Sequence, residues 1–122
     1  MILNSNSMKP IYVKIAEYLE GEILSDSIRP DEKIYSQYQL AEMFNINPAT
    51  AAKGLNLLAD EDILYKRRGL GMFVAVDAKK IILTKRINTK LKELIEETVR
   101  EARQLGVSKE ELMEMIQKEG EE

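Results

Sequence analysis

The chain of 122 residues contains no cysteine, no histidine and no tryptophan. Without cysteine, no disulfide can support the fold, which suits the reducing cytoplasm where we expect this protein to act. Without histidine, the usual general base and the commonest metal ligand are missing, and a zinc site would have to use carboxylates alone. No nucleophile–base pair is visible in the sequence. We therefore expect no catalytic residue, no bound metal and no cofactor.

Long apolar runs are also missing, and none approaches the roughly 20 residues of a membrane span. The segment Met1–Met8 is polar and does not resemble a signal peptide, so we expect no membrane partner. A hydrophobic fraction of 44% suits a folded chain, and the length suits one small domain with an appendage. The formal net charge of −3 argues weakly against DNA binding, because DNA-binding domains are often basic.

The most specific signals lie between Ser36 and Val74. The segment Ser36-Gln37-Tyr38-Gln39 has the form of a helix capping box, and apolar residues follow it at helical spacing. After a break at Asn45-Ile46, the pair Asn47-Pro48 has N-cap and first-turn chemistry for another helix that ends near Asp60. Two helices joined by a short turn indicate a helix-turn-helix unit, whose second helix enters the DNA major groove.

A predicted hairpin follows this unit directly. Ile63–Arg67 and Met72–Val76 are β-prone, and Arg68–Gly71 is a glycine-rich turn between them. The hairpin is typical of the wing of a winged helix, and its basic tip would meet a phosphate backbone or a minor groove. Each piece alone could be an ordinary helix pair or hairpin with solvated charges. All of them in this order favour DNA binding.

Few polar side chains are predicted on the exposed side of the second helix of this unit. Thr50 can contact a phosphate or a thymine methyl, and Lys53 can reach guanine or a phosphate. Asn47 could contact DNA or serve only as a cap. We expect Lys53 and the wing cations to share one face with the Asn47 end of the helix. The DNA-binding residues predicted from the helix and the wing are Asn47, Thr50, Lys53, Asn56, Lys66, Arg67, Arg68, Gly69 and Gly71.

A helix from Pro10 to Leu24 precedes the unit, with Pro10 expected at the first helical position. Its apolar stripe, predicted to pack beneath the helix-turn-helix, comprises Ile11, Ile15, Leu19 and Ile23. Lys33–Tyr35 is expected to form a short strand against the wing. Gly54 falls in the middle of a predicted helix, where glycine costs about 1 kcal/mol relative to alanine. A close contact with another helix would explain it.

The C-terminal part is predicted to be helical. One long helix should run from Ala78 to Leu105 with Gly106 as its stop, and a capping box at Ser108 should begin a short final helix. Apolar residues recur at heptad-like spacing along this tail, so we expect two copies to pair through it. The alternative is a tail that folds back on its own domain. The predicted dimer-interface residues are Ile87, Leu91, Leu94, Thr98, Leu112 and Ile116.

Residues spread over most of positions 8–76 resemble the GntR family of transcriptional regulators. The matching segments are Pro10-Ile11-Tyr12 with Ile15, Ile23-Leu24, Ile34-Tyr35-Ser36, Leu40-Ala41, Asn47-Pro48-Ala49-Thr50, Leu57, and Arg67 to Val74. The short tail is similar to that of the YtrA-like subgroup, whose members lack a large ligand domain. The resemblance implies a fold that is mainly α with a small β-hairpin. A winged helix-turn-helix DNA-binding domain at 8–76 would precede a helical dimerisation tail at 77–122.

The resemblance also implies function. Its motif places Ser36 and Tyr38 near the DNA backbone, although tyrosine stands here at positions 35 and 38, where the family usually has proline and arginine. YtrA-like regulators often repress transporter operons, so we expect a homodimer that binds an inverted-repeat operator of double-stranded DNA. A winged-helix module that binds protein and no DNA is the alternative. The sequence names no effector; one would have to bind at the dimer interface or between tail and domain.

Overall fold

The computed structural model describes Leu3 and residues 8–121. Contacts divide the chain into an N-terminal unit, Met1–Thr84, and a C-terminal unit, Lys85–Glu122. The elements in chain order are α1 (Ile11–Leu24), α2 (Gln37–Phe44), α3 (Pro48–Asp60), β1 (Leu64–Arg67), β2 (Gly71–Val74), α4 (Ala78–Arg86), a π-helical segment (Ile87–Leu91), α5 (Lys92–Gln104) and α6 (Lys109–Glu119). The predicted fold class, mainly α with a small β-hairpin, is confirmed.

The first helix buries the predicted stripe, with two differences at its N-terminal end. Ile15, Leu19 and Ile23 are buried, whereas Ile11 remains 48% exposed because it lies beyond the edge of the core. Pro10 is the N-cap residue, with φ −57° and ψ 151°, and not the first helical residue as predicted. Proline suits either position, since it has no N–H to leave unpaired at a helix start.

Side-chain caps define both helices of the helix-turn-helix. The Ser36 hydroxyl accepts a hydrogen bond from the Gln39 amide at 3.1 Å, and the Gln39 side chain accepts one from the Ser36 amide at 2.8 Å. Asn45 ends α2 in the left-handed region at φ 53°. The Asn47 side chain then caps α3 by accepting from the Ala49 amide at 2.7 Å. The capping box, the break and the second cap are therefore as predicted.

The third helix packs against α1 through a position without a side chain. Gly54 is buried on the same side of α3 as Ala51, Leu55 and Leu58. A Cβ atom at Gly54 would lie 2.9 Å from the Tyr12 carbonyl oxygen and 3.1 Å from a methyl group of Ile15. The predicted close helix contact is thus present, and it explains why this position carries glycine.

The hairpin pairs β1 with β2 in antiparallel register, with Arg67 opposite Gly71 at its tip. The segment before α2 extends this sheet, because the Ile34 amide donates to the Met72 carbonyl at 2.9 Å and the Val74 amide donates to the Glu32 carbonyl at 3.0 Å. Lys33 forms an isolated bridge to Phe73. The predicted short strand at Lys33–Tyr35 is therefore reduced to one bridge, which still ties the wing to the start of α2.

The N-terminal unit continues past Val76, where the domain was expected to end. Ala78 and Ile82 of α4 are buried in its core, and Lys79 forms an ion pair with Asp26 at 2.9 Å. The boundary between units consequently falls after Thr84. The buried apolar residues in the first half of α4 complete the core of the N-terminal unit, so this part of the helix is part of that unit.

In place of the single predicted helix from Ala78 to Leu105, the chain forms α4, the π-helical segment and α5. Within the C-terminal unit, the Thr89 hydroxyl donates to the Lys85 carbonyl at 2.8 Å, a side-chain bond that competes with the regular backbone ladder. Gly106, at φ 69°, follows the end of α5 as predicted, and the capping box at Ser108 begins α6. Among the residues described, no helix is both long and apolar enough to cross a bilayer.

The two mid-helix glycines of the N-terminal unit provide a matched test of this packing. A Cβ at Gly21 of α1 would meet no atom within 4 Å, so we expect Gly21→Ala to raise the free energy of unfolding by about 0.5–1 kcal/mol. Gly54→Ala should lower it, because a steric cost of about 1–3 kcal/mol outweighs the same helix gain. Chemical denaturation measures both changes. Equal stabilisation by both substitutions would contradict the close contact.

Candidate nucleic-acid interface

The exposed face of α3 is narrow and has little bulk. Ala49, Lys53 and Asn56 are exposed, and they lie opposite the buried side of the helix, as its period of 3.6 residues requires. Ala52 is half-buried beside them. A helix with alanines on its outer face can approach a groove closely, and its lysine and asparagine can then reach phosphates or base edges.

A groove runs beside this face, between the start of α2, α3 and the wing. It is lined by residues 33–38, by Ala52, Leu55 and Asn56, and by residues 66–72. Four of these residues are basic, namely Lys33, Lys66, Arg67 and Arg68, and none of the lining residues is acidic. The net negative charge of the whole chain therefore does not extend to this surface. Local charge determines whether a polyanion can approach, and here it is positive.

The groove brings together eight of the predicted DNA-binding residues: Ser36, Tyr38, Asn56, Lys66, Arg67, Arg68, Gly69 and Gly71. The other three, Asn47, Thr50 and Lys53, do not line it. Asn47 uses its side-chain oxygen as the cap of α3, and Thr50 is half-buried. The Lys53 ammonium lies 4.2 Å from the centre of the Tyr12 ring on α1. It is thus held by a cation–π contact at the other border of the exposed face.

The tip of the wing requires both of its glycines. The Leu70 amide donates to the Arg67 carbonyl at 2.9 Å. Gly69 inside this turn has φ +77°, a backbone angle that residues other than glycine and asparagine rarely adopt. Gly71 has φ +111°, and a Cβ there would lie 2.9 Å from the Lys33 side chain. Because Gly71 has no side chain, the Lys33 side chain can lie close to the backbone of the wing at this position.

The wing cations separate onto two faces, because successive side chains of a strand point in opposite directions. Lys66 lies on the face of Leu64, which points to the core. Arg67 lies on the other face, with its guanidinium carbon 5.0 Å from the centre of the Phe73 ring and 5.7 Å from that of Tyr65. Only Arg68 belongs to the turn itself. The predicted cluster at the tip is thus divided between the two faces and the turn.

A hydrogen bond anchors the aromatic side of the wing to the loop before α2. The Tyr65 hydroxyl donates to the Asp31 carboxylate at 2.7 Å, and this bond raises the pKa of Tyr65, against a smaller opposing effect of Arg67. Asp31 is itself fixed, since its amide donates to the Val74 carbonyl at 2.7 Å. The outer surface of the wing is therefore tied to the body of the N-terminal unit.

At the start of α2, two residues expected near a DNA backbone differ in their freedom. The Ser36 oxygen already accepts a bond within the capping box, which leaves its O–H available as a donor. Tyr38 is 70% exposed at the edge of the groove. Tyr35, which stands where the family usually has proline, is half-buried and lines the groove.

The predicted DNA-binding residues did not include Lys33, Gln37 and Leu70, which also line the groove. Lys33 could have been found, because a strand predicted against the wing also carries its cation to the wing. Leu70 gave no signal, because an apolar residue in a predicted turn does not indicate a DNA contact. In the described part of the chain, no group of three or more Asp or Glu side chains is placed to hold a metal ion.

Comparisons with known proteins agree with this geometry. Residues 11–74 match the family described as bacterial regulatory proteins, gntR family. The HTH-type transcriptional repressor YtrA of Bacillus subtilis is 29% identical over 114 residues, which cover 93% of this chain and 87% of YtrA. The repressor NagR of the same species is 36% identical over 75 residues, and this match covers 62% of this chain but only 31% of NagR.

Solved structures show the same relationship. A GntR family transcriptional regulator from Listeria monocytogenes superposes with a TM-score of 0.70 at 29% identity, covering 92% of this chain and 96% of that one. AraR(DBD) in complex with operator ORX1 superposes with a TM-score of 0.56 at 30% identity, covering 62% of this chain and 95% of that one. The family and its relatives are transcriptional regulators and not enzymes. The chain belongs to the GntR family of bacterial regulatory proteins, and it is a DNA-binding regulator with a winged helix-turn-helix.

Proposed function

We propose that this regulator is a repressor that binds an inverted-repeat operator as a homodimer. The observation that carries the proposal is the groove itself: basic side chains from the wing and from the loop before α2 line it, and no lining residue is acidic. The outer face of α3 borders this groove. AraR(DBD), a similar protein, was solved in complex with an operator, which supports operator binding by this chain.

Within this proposal the residues have distinct tasks. Lys33, Lys66, Arg67 and Arg68 neutralise phosphates, which supplies most of the affinity and its salt dependence. Asn56 projects from α3 at the edge of the groove and can bind adenine through its amide. Ser36 and Tyr38 offer hydroxyl donors to a phosphate oxygen, but they bring no counterion release. Lys53 and Thr50 would contact DNA at the border nearer α1, where Lys53 adds a phosphate contact beyond the groove.

The dimer half of the proposal rests on the C-terminal unit. Eight of its large apolar side chains are between 48% and 69% exposed: Ile87, Leu91, Leu94, Ile95, Leu105, Met113, Met115 and Ile116. Among the predicted interface residues, Thr98 is exposed with its hydroxyl bonded to the Leu94 carbonyl at 2.8 Å, and Leu112 is half-buried. Exposed apolar side chains at this density mark interaction surfaces. A second copy is the partner that every cell making this chain contains.

Symmetry then sets the form of the operator. A two-fold axis between copies requires an inverted repeat, with half-site centres about 10 base pairs apart or a multiple of that distance. YtrA, which has a similar length, is a transcriptional repressor. We propose the same role here, on a transporter-type operon as the subgroup resemblance implies. The protein would act in the cytoplasm, where bacterial DNA is held.

The wing charges give the first test, with a duplex selected from a random pool as the probe. Arg67→Ala plus Arg68→Ala should reduce the slope of log K against log salt by about 1.8 for each subunit of the bound dimer, because each phosphate contact contributes about 0.9. The matched control, Lys109→Ala plus Lys118→Ala, removes the same charge from exposed positions of α6 and should leave the slope nearly unchanged. If the wing pair leaves the slope at its wild-type value, the wing does not touch DNA. If no duplex binds in a salt-dependent way, the alternative of a protein-binding module gains support.

The apolar tail gives a second test. Leu91→Lys plus Leu94→Lys should yield monomers and remove most of the operator affinity, because two charges would be buried in the proposed interface. The N-terminal unit should stay folded, since Leu91 and Leu94 lie outside its core. Gln104→Lys plus Gln117→Lys adds the same charge at exposed polar positions and should remain dimeric. Sedimentation measures the state of each protein. A wild-type monomer at micromolar concentration that still binds a full operator tightly would rule out the dimer.

A further inference from the structure

Two aromatic rings on the wing lie directly beneath Arg67. Tyr65 and Phe73 are cross-strand partners in the hairpin, with ring centres 5.9 Å apart and planes 26° from parallel. The guanidinium carbon of Arg67 lies 5.0 Å from the centre of one ring and 5.7 Å from the other. These distances are within the range in which a cation is attracted to an aromatic face.

The rings are also held by contacts that do not involve Arg67. The Tyr65 hydroxyl donates to Asp31 at 2.7 Å, and the Asp31 amide donates to the Val74 carbonyl at 2.7 Å. Phe73 is held from its other side by the bridge to Lys33. Backbone pairing and a side-chain anchor therefore hold the pair of rings, called here the aromatic platform, before any DNA arrives.

We propose that Tyr65 and Phe73 are positioning residues for DNA binding, because their platform holds the Arg67 guanidinium ready to meet a phosphate. The inference rests on the proposed function and deepens it. An exposed arginine loses side-chain freedom when it binds, and a side chain already ordered loses less. A cation–π contact engages the face of a guanidinium, whereas the N–H groups at its edge are the part that binds phosphate oxygens in pairs.

Lys66, the residue before Arg67 in the strand, provides an internal control. Lys66 carries the same charge and also lines the groove, but it projects from the opposite side of the hairpin, away from the platform. A contribution of the rings that acts through Arg67 must disappear when Arg67 is removed and must persist when Lys66 is removed. A general effect of the rings on wing folding would persist in both cases.

A double-mutant cycle tests this with full-length protein and a duplex selected from a random pool. In the wild-type background, Phe73→Leu should weaken binding about two- to five-fold for each bound subunit, the range given by the value of one exposed cation–π contact. In the Arg67→Ala background it should have no further effect. In the Lys66→Ala background, Phe73→Leu should again cause the full loss of affinity. Phe73→Tyr keeps the ring and should bind as wild type does.

A second variant and a spectroscopic measurement guard against a folding defect. Tyr65→Leu removes the other ring and should show the same dependence on Arg67. In the free protein, ring currents should displace the Arg67 Hε resonance, and Phe73→Leu should return it toward its ordinary position. Losses that are equal in all backgrounds, or ring removal without any loss, would overturn the platform while leaving DNA binding intact. Wild-type protein that binds no duplex would overturn the proposed function and this inference with it.

Discussion

The contact between α1 and α3 at Gly54 determines how the rest of the N-terminal unit is arranged. With no side chain at this position, α3 approaches the Tyr12 carbonyl and Ile15 at a distance that any Cβ would prevent. Because one side of α3 is fixed against α1, the opposite side, with Ala49, Lys53 and Asn56, must face outward. The outer face of α3, which we propose contacts DNA, thus takes its orientation from a packing constraint on the buried side of the helix.

The wing depends on a second set of contacts, and these also determine the charge of the groove. Its backbone bonds to Glu32 and Ile34 bring the loop before α2 alongside β2, and Gly71 leaves room for the Lys33 side chain. Cations from two distant parts of the sequence therefore meet at one surface. A chain with a formal net charge of −3 can present a basic groove, because binding responds to the local field and not to the total charge.

Local chemistry in the sequence was enough to predict most elements. The helix caps formed by Ser36, Asn47 and Ser108 use partners within three residues along the chain, so they could be identified without a structure. The turn at Gly69 could be identified for the same reason. Contacts between distant side chains could not be identified in this way. The cation–π contacts of Lys53 and Arg67, and the burial of Ala78 and Ile82 in the core, depend on tertiary positions that no spacing encodes. The π-helical segment was missed because its residues also suit an α-helix.

The predicted site residues also differ in whether local sequence or tertiary contacts determine their place. The predicted residues that line the groove come from segments whose order alone indicates a winged helix. Lys33, which was not predicted, reaches the groove through the sheet, and the predicted Asn47 serves as a cap. We propose that the groove and the outer face of α3 form the DNA interface. NMR titration of the labelled protein with its selected duplex maps the residues that contact DNA. Shifts should concentrate at residues 33–38, 49–56 and 66–71. Shifts confined to α1 or to the C-terminal unit would contradict the claim.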